Sequence, residues 1–191
     1  MYLKHRDGTL EVITGPMFAG KSEELIKRIK TLSIAKMRIL VLKPHFDNRF
    51  GIDNIVSRNG EKIKAHNIKD SDDIYQVFDD SYDVVAIDEV HFFDEKIIQA
   101  IEYMVNKNKR VIVSGLDMDF LKRPFGIMPQ ILSIADEVSK LKAVCVVCHS
   151  AAGYSFRKFE SLELNVLGDK EYEARCRHCH DIGMKFIDNK N

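Results

Sequence analysis

The chain has 191 residues and a mass of 22.0 kDa, with 45% hydrophobic and 30% charged residues. This is ordinary globular composition for one medium domain with at most a small appendage, and it excludes an intrinsically disordered chain. Lys plus Arg and Asp plus Glu each number 29, a zero balance that argues against a surface built mainly to grip nucleic acid or anionic lipid. No apolar run approaches the ~18 residues of a membrane span. The polar stretch from Met1 to Asp7 lacks the apolar region of a secretory signal. The expectation is a cytoplasmic protein with no nucleic-acid and no membrane partner.

Taken in chain order, residues 9–14 predict a short strand. The run from Gly15 to Gly20 breaks it, and a helix opens at Lys21. The apolar face of that helix is Leu25, Ile29 and Leu32 with Ile26 beside it, leaving Lys27, Arg28 and Lys30 toward water. A second strand spans Arg38 to Leu42 and is stopped by Pro44. Asp70 to Asp80 reads as a short acidic helix. Val84 to Ile87 is a continuous apolar run, as expected of a central parallel strand covered on both faces. Asp94 is placed to cap a helix reaching about Val105, with Ile97, Ile98, Ile101 and Val105 inward. Arg110 to Leu116 contains a further buried strand. Strands alternating with helices predict an α/β fold with a mainly parallel sheet.

From Ala143 onward, short extended segments surround the cysteines and no long helix is evident. The predicted division is a nucleotide-binding α/β domain over residues 1–143 and a small metal-stapled domain over 144–191. A segment so short needs a staple to supplement its core.

Gly15, Pro16, Met17, Phe18, Ala19, Gly20, Lys21 and Ser22 match G-x-x-x-x-G-K-S/T in full, between a predicted strand and a predicted helix. Glycines let backbone N–H groups turn inward around phosphate oxygens, and the helix N-terminus adds partial positive charge. Lys21 would reach the outer phosphates of ATP, and the Ser22 hydroxyl would sit on Mg²⁺.

The strand ending at Ile87 runs into Asp88 and Glu89. A parallel sheet binds its ligand at the carboxyl ends of its strands, where the phosphate loop also lies. Asp88 is the natural partner of the Mg²⁺. Glu89 points elsewhere and is free to act as base on a hydroxyl or a water. With Val90 and His91 the box also spells D-E-x-H, the helicase sequence. A helicase-like or transporter-like ATPase is therefore one alternative, although such motors normally need two lobes. A zinc-ribbon module whose phosphate loop only senses nucleotide is another.

All four cysteines fall in the last quarter of the chain, as Cys145, Cys148, Cys176 and Cys179. Two C-x-x-C knuckles suit a tetrahedral structural Zn²⁺, with His149, His178 and His180 as possible replacements for one ligand. The segment 149–175 is then a loop clamped at both ends by one metal, able to close over a ligand.

Together these elements resemble the cytosolic, zinc-containing (type II) thymidine kinase family over nearly the whole chain. The carriers are the Pro16-Met17-Phe18 filling of the phosphate loop, Lys43-Pro44 with Asp47, Asn48 and Arg49, and the box from Asp88 to Phe93. Further along they are the stretch from Gly115 to Phe120, that from Arg123 to Gly126, and the cysteine-bearing tail. His91 stands where that family usually has Gln. The resemblance implies a RecA-like P-loop domain followed by a zinc domain with a lasso loop. It implies phosphorylation of the thymidine 5′-hydroxyl by ATP with Mg²⁺, in pyrimidine deoxynucleoside salvage. Glu89 would be the general base. The phosphate loop, Asp47, Arg49, Asp88, Val90 and His91 would hold ATP and Mg²⁺. Met17, Leu116, Phe120 and Phe125 would wall the nucleoside pocket, unless one or two are plain core. Arg157, Leu164, Asn165, Val166, Leu167, Gly168 and Tyr172 would hold base and sugar. Family habit adds deoxyuridine as a second substrate, thymidine triphosphate as feedback inhibitor, and a homotetramer.

Overall fold

The computed structural model describes residues 7–45, 54–56, 60–158 and 170–188. The elements are β1 (Thr9–Thr14), α1 (Lys21–Ile34), β2 (Ile39–Pro44), β3 (Asn54–Val56), β4 (Lys62–Lys64), β5 (His66–Ile68), α2 (Ile74–Val77), β6 (Val84–Ile87), α3 (Ile97–Asn106) and β7 (Arg110–Gly115). They continue with α4 (Met128–Ile134), β8 (Glu137–Lys140), β9 (Ala143–Val144), β10 (Ala151–Ala152), β11 (Tyr154–Arg157), β12 (Tyr172–Arg175) and α5 (Arg177–Asp188). Six strands form one sheet in the order β5-β2-β6-β7-β1-β8, and every neighbouring pair is parallel.

The sheet is apolar on both faces because alternate residues of each strand enter opposite cores. Leu10, Val12, Leu40, Leu42, Val85, Ile87, Val111 and Val113 face one core, packed with α3 and α4 through Ile97, Ile101, Met104 and Ile131. Ile13, Val41, Val84, Ala86 and Ile112 face the other, against Leu25, Ile26, Ile29 and Leu32 of α1. Each fully buried aliphatic side chain contributes about 1.5–3 kcal/mol.

Several expectations need correction. Arg28 does not face water. It is buried under α1, with its guanidinium 2.8 Å from Glu11 Oε2 and 3.0 Å from Glu24 Oε1, and it donates to Ser139 at 2.7 Å. Glu11 in turn holds Arg110 at 2.5 Å. The charge pattern of α1 hides this because two of the three partners, Glu11 and Ser139, lie on β1 and β8. β2 runs past the expected end at Leu42 and takes in Pro44 as its last residue, in register with Ile68. The acidic stretch is one short 3-10 turn, Ser71–Asp73, capped by Asp70, followed by the single turn of α2. Phe78 then goes extended to reach the core, so packing shortens the helix. Lys96, not Asp94, occupies the cap position of α3, and the Asp94 carboxylate two residues earlier accepts from Lys96 N at 2.8 Å.

The tail contains a helix that the sequence reading missed, α5. Its Gly183 leaves space for the Arg175 guanidinium, where a Cβ would lie 1.9 Å from Nη1, while that guanidinium lies 3.4 Å over the Phe156 ring. The β9–β10 and β11–β12 pairs are antiparallel, and Val146 N joins the two by donating to Ala174 O at 3.1 Å. Ala143, Cys145, Ala152, Ala174 and Cys179 form a small core, against which Phe18 and Ala19 of the phosphate loop pack. Among the described residues no helix is long and apolar enough to cross a membrane.

Candidate functional site

Three residues of the loop between β1 and α1 adopt left-handed backbone: Gly15 (φ 142°), Phe18 (φ 69°) and Gly20 (φ 82°). A Cβ at Gly15 would meet the Leu141 carbonyl oxygen at 2.5 Å. Glycine is needed there because Leu141 N donates to Thr14 O at 2.7 Å and draws the chain leaving β8 against the loop. The first turn of α1 begins without a side-chain cap, so its N–H groups are oriented for an anion. Lys21 Nζ donates to Pro16 O at 2.9 Å, which holds the amine inside the loop, and Ser22 is half-buried beside it. Met17 N donates to Ser155 Oγ on β11 at 2.9 Å.

β7 lies between β1 and β6 and joins the two strand ends. Thr14 Oγ1 donates to Gly115 O at 3.0 Å, and Ser114 Oγ donates to Asp88 Oδ1. Asp88 is buried and also accepts from Glu89 N at 3.0 Å. Glu89 sits in left-handed backbone at φ 50° with a side chain 14% exposed. A non-glycine residue held in that region stores about 1 kcal/mol or more, and such strain collects at functional sites. Val90 is fully buried in the core, so only its backbone can face a ligand. His91 is buried beside Phe125, ring centroids 4.8 Å apart. Its Nδ1 accepts from Leu116 N at 3.2 Å, which leaves the neutral ring's proton on Nε2, and Glu89 Oε2 lies 3.6 Å from Nδ1.

Of the residues expected around the nucleoside, Phe120 from the wall and Arg157 and Tyr172 from the base-and-sugar set come together. The Arg157 guanidinium lies 3.7 Å over the Phe120 ring, and its Nη2 donates to the Tyr172 hydroxyl at 2.7 Å. Leu116 and Phe125 converge instead on His91. Met17 is half-buried in the phosphate loop. Asp47, Arg49 and the stretch 164–168 lie outside the described residues.

The sulfurs of Cys145, Cys148, Cys176 and Cys179 all lie within 4.8 Å of one another, and Cys148 and Cys176 are 3.6 Å apart. Tetrahedral Zn–S bonds of ~2.3 Å need sulfurs about 3.8 Å apart, so the cluster can hold zinc. Burial works to raise the Cys145 thiol but is outweighed by N–H groups of Cys176, Cys148 and Val147, which bring it down to about 6. Burial, with the neighbouring thiols, pushes Cys179 up to about 12. The Cys179 N–H lowers the Cys176 thiol as well, so two thiols ionise readily while Cys179 resists, a demand that a divalent cation satisfies.

Sequence reasoning missed Ser114, Ser155 and the structural place of His180. Each acts on a residue far along the chain, and a lone Ser or His carries no spacing signal. From the sequence, His180 is only a candidate replacement zinc ligand. Its Nε2 instead donates to Phe120 O at 2.8 Å, and burial holds its pKa below the ordinary value.

A parallel sheet carrying a G-x-x-x-x-G-K-S loop after its β1 strand, with a carboxylate pair at the end of β6, defines a P-loop nucleotide-binding protein. Comparison with known proteins narrows this further. The thymidine kinase family model matches residues 8–180, and the chain belongs to that family. It is 52% identical over 187 residues to the thymidine kinase of Metamycoplasma arthritidis, covering 97% of this chain and 96% of that one. It is 51% identical over 181 residues to the thymidine kinase of Mycoplasma mobile, covering 94% and 90%. The thymidine kinase of Mesomycoplasma hyopneumoniae is 50% identical over 184 residues, covering 95% and 100%.

Proposed function

We propose that the protein transfers the γ-phosphoryl group of ATP to the 5′-hydroxyl of thymidine, giving thymidine 5′-monophosphate. Family membership across residues 8–180 carries this reading. Deoxyuridine is a second substrate, and the reaction serves cytoplasmic deoxynucleoside salvage.

The loop from Gly15 to Ser22 cradles the ATP phosphates, with Lys21 on the outer ones. Asp88 and Ser22 offer oxygen donors, the set that a hard cation such as Mg²⁺ takes, and Mg²⁺ when bound neutralises charge on the phosphates. Asp88 is held for this by the Ser114 hydroxyl and the Glu89 amide. Glu89, partly exposed beside it, accepts the 5′-hydroxyl proton as the oxygen attacks in line. Asp47, Arg49 and the backbone of Val90 and His91 complete the ATP site. Met17, Leu116, Phe120 and Phe125 wall the nucleoside, while Arg157, Tyr172 and the stretch 164–168 hold base and sugar. A site that hydrogen-bonds one base edge rejects others because they leave buried groups unpaired.

In this reading residues 144–191 form a zinc-stapled unit that covers the nucleoside held by the 1–143 domain. Thymidine triphosphate acts as feedback inhibitor, and the enzyme is a homotetramer. Light scattering and inhibition kinetics test those two statements. The deciding experiment is ATP turnover with and without thymidine, with the product identified by chromatography. Turnover that ignores thymidine and responds to polynucleotide would overturn the reading.

A further inference from the structure

Two adjacent side chains of α5 grip the loop between β7 and α4. His180 is fully buried and its Nε2 donates to the Phe120 carbonyl at 2.8 Å. Asp181 pairs with Lys122 of the same loop. Both residues follow directly on Cys179, so the helix that carries one cysteine of the cluster also holds this loop. The imidazole is fixed by an edge-on contact with Phe156, centroids 5.4 Å apart at 86°, and by Tyr154 at 5.8 Å.

The loop is internally stiff. Asp119 Oδ1 accepts from Leu121 N at 2.8 Å and from Arg123 N at 2.9 Å, and Phe125 N donates to Asp117 O at 3.1 Å. A stiff turn moves as a body, so its external contacts decide where it sits. The Lys122–Asp181 pair is partly exposed and screened, and contributes little. The His180 bond, made from a fully buried ring, is therefore the stronger anchor, because losing its donor leaves a part-buried carbonyl without that partner. What it anchors is the Phe120 ring under the Arg157 guanidinium, which in turn holds Tyr172.

We propose that His180 is a positioning residue for the nucleoside site, carrying the geometry of the cysteine knuckle to Phe120 and, through Phe120, to Arg157 and Tyr172. This rests on the thymidine kinase reading above. The neutral imidazole serves because it places an N–H donor at the reach of its ε position inside an aromatic cage. Gln is a neutral side chain of similar size that reaches equally far with a donor.

The test compares His180→Leu with His180→Gln. The Leu protein should keep one zinc per chain and raise the thymidine KM about tenfold, with kcat and the ATP KM within about twofold, as expected for one lost part-buried hydrogen bond. Amide hydrogen exchange over residues 117–125 should also accelerate in the zinc-loaded protein without substrate. His180→Gln should restore both. Unchanged exchange and KM in the Leu protein would overturn the proposal, and so would equal effects in both variants. If the Leu protein does not fold, His180→Asn takes its place, being one bond too short to reach Phe120 O. If wild-type turnover ignores thymidine, the functional reading fails, and the exchange comparison still decides whether His180 holds the loop.

Discussion

The Met17 amide donates to the Ser155 hydroxyl at 2.9 Å, fastening the phosphate loop to a strand 138 residues further along the chain. Ser155 is buried, and it lies on β11 within the cysteine-bearing tail. Ordering of the tail and the shape of the loop are thereby coupled.

Ser155→Ala leaves the Met17 N–H without this partner in a part-buried place. The expected loss is about 1–3 kcal/mol of stability, with weaker binding of both substrates. Urea unfolding and substrate KM values measure it. Wild-type values for both would show that the bond couples nothing.

Glu89→Gln removes the base while keeping size and backbone. Positioned base catalysis contributes typically ~10²–10⁴-fold, so kcat should fall by that order while ATP binding stays close to wild type. Single-turnover kinetics with equilibrium nucleotide binding separates the two effects. Wild-type turnover would remove Glu89 from the mechanism.

The cysteine cluster should bind one Zn²⁺ per chain through four sulfurs, countable by metal analysis and X-ray absorption. Cys176→Ser should lower both folding yield and activity, because the small core of Ala143, Cys145, Ala152, Ala174 and Cys179 packs on Phe18 and Ala19. A soluble, fully active Cys176→Ser protein would contradict a structural metal.

Glu11→Ala leaves the Arg28 and Arg110 guanidiniums without their shared carboxylate under α1. Breaking one partner of a buried ion cluster costs about 3–5 kcal/mol. The unfolding midpoint should drop, and kcat of the folded fraction should hold at wild-type level. A midpoint within error of wild type would mean that Glu24 and solvent replace Glu11.

What the sequence determined by itself was whatever a contiguous run or a fixed spacing encodes. The phosphate loop, the apolar strand Val84–Ile87 with its terminal carboxylates, the inward face of α1 and the paired cysteines all belong here. In each, the residues that carry the pattern are neighbours along the chain, so the pattern can be read from residue order. Tertiary structure alone decided the rest. Arg28 reads as a solvated cation until β1 brings Glu11 beneath it. The edge strand Glu137–Lys140 is too polar to announce itself, and it forms because β1 offers an open ladder. α5 is obscured by the cysteines and histidines at its start. Ser155 and His180 gain meaning only when the tail folds back on Met17 and Phe120. The physical reason is common to them all: a buried polar group is placed by the distant partner that satisfies it, and no local pattern of residues records where that partner lies.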